Sequence, residues 1–226
     1  MRRTATSISL VAMTLSDFFG RMLDVVAPPR PTEKLVRTLT LQELRLLTLR
    51  GDKSGSLPYH DERVRALVWE LKYYAHKRAK LLAGAVLRDV LVGIASESLG
   101  KPLLIPVPMH PSRRRERGHN QTEVLCKAAL AHMRGFYDYQ PHVLVRTRHT
   151  PQQQGLQKHE RIHNLKDSME INKKSNLDKV NLHYVRGRVC VVVDDVSTTG
   201  ATFAEATRAL KAAGASHVEC VALAYS

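Results

Sequence analysis

Two adjacent carboxylates, Asp194 and Asp195, lead into a hydroxyl-rich turn around one glycine, formed by Ser197, Thr198, Thr199, Gly200, Ala201 and Thr202. Hydroxyls and unpaired backbone N–H groups at a helix start are donors suited to a phosphate, and the positive end of the helix dipole favours its charge. Gly200 lets the backbone approach such a group closely. Carboxylates beside a phosphate would repel it, so Asp194 and Asp195 must face donors or a cation. The cis hydroxyl pair of a ribose and a nearby Mg²⁺ are the candidates. Aspartates and threonines that merely cap a helix would account for a lone Asp-Asp or Thr-Thr-Gly, but less well for the whole string.

The elements around the string are those such a grip needs. Val189 to Val193 form an apolar run of buried-strand length, and after Gly200 the residues Phe203, Ala206, Ala209 and Leu210 fall on one helical face. Further strands are expected at Leu103 to Val107, Val143 to Arg146 and His217 to Ala224, with helices at Thr122 to His132 and Thr202 to Ala213 between them. Asp61 is placed to cap a helix carrying Val64, Leu67, Val68 and Leu71, and Leu81 to Ile94 reads as another helix. This alternation predicts an α/β fold, a mostly parallel sheet flanked by helices, with ligands beyond the strand C-terminal ends. Both Pro108 and Asp194 lie at such ends. A Walker-type loop and a dinucleotide fingerprint are both missing.

The stretch Val191 to Thr202 resembles the phosphoribosyl-pyrophosphate (PRPP) motif of type I phosphoribosyltransferases. The resemblance implies that Asp194 and Asp195 hold the ribose hydroxyls, and that Ser197, Thr198, Thr199, Gly200, Ala201 and Thr202 form the loop around the 5-phosphate. Three more segments narrow it: Trp69-Glu70-Leu71-Lys72-Tyr73; Pro106-Val107-Pro108 followed by Arg117-Gly118-His119-Asn120-Gln121; and Thr150, Gln153 and Leu156 followed by Arg161 and Asn164. In this order they resemble the ComF family of phosphoribosyltransferase-like proteins, known from DNA uptake in competent bacteria. That likeness spans roughly residues 59 to 226. It implies a pentosyltransferase using PRPP and Mg²⁺ and releasing pyrophosphate, with an acceptor base or amine that the sequence does not name. Pro108, Arg117 and Lys72 become the expected pyrophosphate contacts, and Gln153, Arg161 and Asn164 belong to a hood closing over the substrate. The competing class is a non-catalytic PRPP-binding or DNA-handling protein. Expected partners beyond PRPP are single-stranded DNA or the competence machinery, and a second copy of the chain.

The chain also departs from the family pattern. Its three cysteines, Cys126, Cys190 and Cys220, have no C-x-x-C spacing, so the family's usual N-terminal zinc ribbon is not expected. His119 stands where an aromatic is usual, and Met169 where a Phe is usual. Residues 1–57 read as a helical N-terminal extension and 58–226 as the phosphoribosyltransferase-like domain. Within the extension, Ile8, Val11, Leu15, Phe18, Met22 and Val26 recur on one helical face, which suits docking better than a membrane surface. Pro28, Pro29 and Pro31 break that helix, and Thr40-Leu41-Gln42-Glu43 makes a capping box for a second one with Leu41, Leu44 and Leu47 on its apolar side. A basic start at Arg2 and Arg3 hints at a signal peptide, but the apolar run after it is short and no small-residue cleavage site follows.

Over 226 residues, 35 Lys and Arg against 21 acidic residues leave a net charge of +14, which favours polyanionic partners. Scattered cysteines fit a reducing cytoplasm, and no apolar run reaches the ~18 residues of a membrane span. Arg113, Arg114, Arg115 and Arg117 crowd one loop past the first core strand, where Arg could clamp pyrophosphate; no aromatic residue interleaves with them in sequence, which weakens a single-strand stacking surface there. His159-Glu160-Arg161-Ile162-His163 spells a zinc-protease signature, but its polar flanks and the family pattern on Arg161 and Asn164 argue for solvent-exposed histidines instead of a metal site.

Overall fold

The computed structural model describes residues 29–50, 55–133, 135–148, 167–172 and 184–226. Its helices are α1 (Pro31–Thr38), α2 (Leu41–Arg50), α3 (Glu62–Tyr73), α4 (Lys77–Glu97), α5 (Pro111–Arg117), α6 (Gln121–Leu130) and α7 (Ala201–Ala212). Its strands are β1 (Leu57–Pro58), β2 (Leu103–Pro106), β3 (Asp138–Tyr139), β4 (Leu144–Arg146), β5 (Met169–Ile171), β6 (Val189–Ser197) and β7 (His217–Tyr225). Five strands make a parallel sheet in the order β1-β7-β6-β2-β3.

The unbroken apolar run at the centre of β6 follows from burial on both sides. Val191 and Val193 face one core with Leu67, Leu71, Leu87 and Leu125 of the helices, whereas Cys190 and Val192 face the other with Phe203, Ala206 and Leu210 of α7. Strand side chains alternate between faces, so a strand covered on both sides has no polar phase. The expected face of α7 is confirmed by the burial of Phe203, Ala206, Ala209 and Leu210.

Local signals set the helix starts. Asp61 caps α3 by accepting from the Arg63 N–H at 2.9 Å, and the capping box of α2 closes reciprocally: Thr40 N donates to Glu43 Oε2 at 2.8 Å and Glu43 N to Thr40 Oγ1 at 3.2 Å. Helices α1 and α2 join α3 and α4 in one hydrophobic core through Val36, Leu44 and Leu47.

Four features differ from the sequence expectation. Pro31, expected as a helix breaker, opens α1 at the first-turn position, where its missing N–H is no loss. The strand at Val143 to Arg146 leaves the parallel sheet and pairs antiparallel with β5, so that Leu144, Met169 and Ile171 cover the α7 side of the core. The arginine-rich loop is the short helix α5, capped by His110 Nδ1 accepting from Ser112 N and closed by Gly118 at φ 75°. The strand at Val189 runs on to Ser197, carrying both aspartates inside it. The helix expected at Ile8 to Val26 lies outside the described residues, as do Gln153, Arg161, Asn164 and the His159 to His163 segment. Among the described residues no helix is long and apolar enough to cross a membrane.

Candidate functional site

The two middle strands of the sheet create the opening. From β2 the chain goes on to β3 at one edge of the sheet, and from β6 to β7 on the other side, so the connections diverge between β2 and β6. Parallel α/β sheets bind ligands at such a divergence, beyond the strand C-terminal ends. Pairing between β2 and β6 runs from Leu103 with Cys190 to Pro106 with Val193, and the last bond is Val107 N to Val193 O at 2.8 Å. Asp194 and Asp195 are the next residues of β6, so they emerge where β2 has ended while β7 still supports them from Ala222 to Tyr225.

That end of β2 is fixed by the Asn120 motif. The Val107 carbonyl accepts from Asn120 Nδ2 at 3.1 Å and from Thr122 Oγ1 at 2.8 Å, and Asn120 Oδ1 caps α6 through Thr122 N. His119 ties the same turn to α3, its Nε2 3.2 Å from the Leu71 carbonyl. Pro108 is therefore held, half-buried, at the mouth of the cleft.

Both carboxylates are buried, at 8% and 5% exposure, which for charged groups requires partners. Asp194 Oδ1 accepts from Asp195 N at 2.8 Å, and Asp195 Oδ1 from Val196 N at 2.8 Å. Lys72, from the last turn of α3, brings its ammonium to 3.0 Å from Asp195 Oδ2. Burial pulls the Lys72 pKa down, but the Asp195 charge and hydrogen bond outweigh it and leave the net shift upward. For Asp194, burial and then the adjacent Asp195 charge raise the carboxyl to about 8.

Beyond the aspartates the chain turns into α7. Ser197 is buried and Thr198 exposed, with Thr199 and Thr202 between these extremes. Gly200 is the N-cap of α7 at φ 73°, and a Cβ placed there would meet no atom within 4 Å. The glycine is thus required by backbone conformation, and the space in front of the helix start is open. Thr199 Oγ1 accepts from Ala201 N at 3.4 Å.

Arg146 is a member that sequence reasoning missed. It ends β4, and burial lowers its pKa against the opposing pull of Asp194 and Glu205, while Arg113 adds repulsion. A guanidinium in that setting belongs to the charge balance of the cleft. Its sequence signal was only an arginine at a strand end; the pairing of β4 with β5 brings it to the cleft. Arg113, lowered by burial and by neighbouring Arg117, lines a recess of about 250 Å³ with Tyr73, Glu116 and Arg117. The expected contacts therefore fall into two groups: Lys72, Asp194 and Asp195 meet directly, and Arg117 stands over the Tyr73 ring with its guanidinium 5.0 Å from the centroid.

The donor set suits Mg²⁺ that shares its coordination with a substrate. Asp195 Oδ2, 3.0 Å from the Lys72 ammonium, and Asp194, a carboxyl kept from ionising by burial and then by the Asp195 charge, are the oxygen donors at the strand end. No cluster of three His, Cys, Asp or Glu side chains capable of holding a metal occurs among the described residues, so the remaining ligands would be substrate oxygens and water.

Comparison with known proteins agrees with this geometry. The phosphoribosyl transferase domain family matches residues 138–226, the segment from β3 to β7 that contains both aspartates and the loop after them. DNA utilization protein YhgH of Salmonella typhi is 36% identical over 158 residues, covering 68% of this chain and 63% of that protein. YhgH of Escherichia coli (strain K12) is 31% identical over 155 residues with the same coverage. Competence protein F of Haemophilus influenzae is 31% identical over 121 residues, 54% of this chain and 49% of that protein. The chain thus spans less than two thirds of the length of these curated relatives.

Proposed function

The chain belongs to the ComF family of phosphoribosyltransferase-like proteins, and from that premise we propose that it binds PRPP with Mg²⁺ and transfers the 5-phosphoribosyl group to an acceptor base or amine. The observation that carries the reading is the buried Asp194–Asp195 pair at the end of β6, followed at once by the open, glycine-capped start of α7.

In this reading the two carboxylates accept hydrogen bonds from the ribose 2- and 3-hydroxyls, and Ser197, Thr198, Thr199, Gly200, Ala201 and Thr202 surround the 5-phosphate. Lys72, Arg117 and the backbone at Pro108 take the pyrophosphate. When bound, Mg²⁺ shares the negative charge of the pyrophosphate. The C1–oxygen bond breaks with its electron pair leaving on pyrophosphate, positive charge develops on C1 and the ring oxygen, and a nitrogen lone pair of the acceptor forms the new bond and then loses its proton. The chain's contribution is electrostatic and positional: cations face the departing charge, and the aspartates hold the ribose against the developing cation. The site lies in a reducing, cytoplasmic setting on this view, and the family pattern assigns Gln153, Arg161 and Asn164 to substrate binding. Residues 1–57 act as an extension to the domain at 58–226, and two copies pair as a dimer.

A second reading has its own support. Relatives are named for DNA utilization and competence, and this chain carries a net charge of +14. There the grip binds PRPP as a sensor and the protein handles DNA. Incubation with PRPP, Mg²⁺ and a panel of purine, pyrimidine and amine acceptors separates the two: acceptor-dependent pyrophosphate release is expected for the transferase, and binding without release for the sensor.

A further inference from the structure

An aromatic face lies beside the cleft, built from residues far apart in sequence. On α3, Trp69 and Tyr73 stand one helical turn apart with ring centroids 4.4 Å apart and planes inclined at 44°. They remain 48% and 41% exposed, although large aromatic rings gain most from burial. Helix α5 sets its cations against them: the Arg117 guanidinium lies 5.0 Å from the Tyr73 centroid, and Arg113 and Arg117 line the adjoining recess with Tyr73. Burial and then the neighbouring Arg117 charge lower the Arg113 pKa, with Glu116, which lines the same recess, opposing them.

We propose that this face binds single-stranded nucleic acid, with bases stacked on Trp69 and Tyr73 and the backbone phosphates drawn to Arg113 and Arg117. The combination suits a strand better than a duplex, because only unpaired bases offer their flat faces to a side-chain ring. Sequence preference is not required, since every base has a π-face. Charge complementarity extends beyond the patch through the chain's net charge of +14. The absence of interleaved aromatics in the Arg113 to Arg117 segment is made good in three dimensions by α3, forty residues upstream. The proposal deepens the DNA-handling reading and shares only Arg117 with the proposed pyrophosphate contacts; Trp69 and Tyr73 lie outside the PRPP grip, so variants at these two rings test it separately from the transferase reading.

Trp69 is the chain's one tryptophan, which makes it a built-in reporter of stacking. The full-length protein is titrated with a 20-mer of deoxythymidylate while its intrinsic fluorescence is recorded, in parallel with a duplex of equal length, with thymidine monophosphate, and with the Tyr73→Ala variant. Strong quenching by the single strand, weak quenching by the duplex, and roughly tenfold weaker binding in Tyr73→Ala are expected. A Trp69→Leu variant, followed by anisotropy of a labelled strand, should lose about the same factor while its PRPP calorimetry stays unchanged. The Asp194→Asn/Asp195→Asn variant should keep the quenching. No quenching by the strand, equal quenching by monophosphate at matched base concentration, or equal affinity for duplex would each overturn the proposal.

Discussion

The two halves of the cleft hold their charges in opposite ways. At the end of β6, Asp194 and Asp195 are buried and Lys72 half-buried, and they are tied to one another and to the backbone, so water screens the interaction less than at the surface. On the α3–α5 side, Trp69 and Tyr73 are about half exposed, and Arg113 and Arg117 crowd each other at the solvent boundary. A buried, coupled arrangement can orient a small ligand to a fraction of an ångström, whereas an open cationic face tolerates many related ligands. The same strand-end crevice thus offers a rigid grip next to a permissive surface.

The largest expected effect breaks the rigid half. Asp194→Asn/Asp195→Asn should lower PRPP affinity by about a hundredfold or more, since two charge-assisted hydrogen bonds are weakened together. Lys72→Met should follow, because it leaves the Asp195 charge buried without its counter-ion; a loss of about 3 kcal/mol in denaturant unfolding is expected, with partial recovery in Lys72→Arg. Gly200→Ala tests the turn: the surroundings are open, so only the positive φ opposes the methyl, at about 1 kcal/mol of stability.

Asp194 adds a pH signature. Its folded-state carboxyl lies above its unfolded value of 3.8, so folding favours the protonated form; that contribution is complete below the unfolded value and is lost as the pH rises through about 8. Asp194→Asn should therefore melt above wild type near pH 9, by up to about 10 °C, and converge with it near pH 4. PRPP binding, which needs the carboxylate, should release a proton near neutral pH and tighten as the pH rises; titrations in two buffers of different ionisation enthalpy check this. The smallest effect sharpens the comparison from the other side. Raising salt from about 50 to 200 mM should weaken oligonucleotide binding several-fold, while the stability gap between wild type and Lys72→Met hardly moves.

What the sequence revealed depended on how local each feature is. The β6 strand and α7 were legible because burial on both faces and a one-sided helix leave unambiguous periods, and the Thr40–Glu43 box and Asp61 cap involve neighbours only. Strands β1 and β3, two residues each, carry no alternation to read; the sheet supplies them through pairing with Ala224, Tyr225, Leu103 and Leu104. Pro31 was read as a stop because a proline looks alike whether it ends one helix or begins the next. β4 was assigned to the wrong sheet because a short apolar strand does not name its partner. Arg146 and the Trp69–Tyr73 face escaped for one reason: each gains its role only when distant segments meet, β4 against the β6 end and α3 against α5.

The central claim is that Asp194, Asp195 and the α7 start form a PRPP grip. Calorimetric titration of the full-length protein with PRPP in the presence of Mg²⁺ tests it most directly. Saturable micromolar binding with one site per chain, abolished in Asp194→Asn/Asp195→Asn, is expected; no heat of binding from folded wild-type protein, or unchanged binding in the variant, would rule the PRPP grip out.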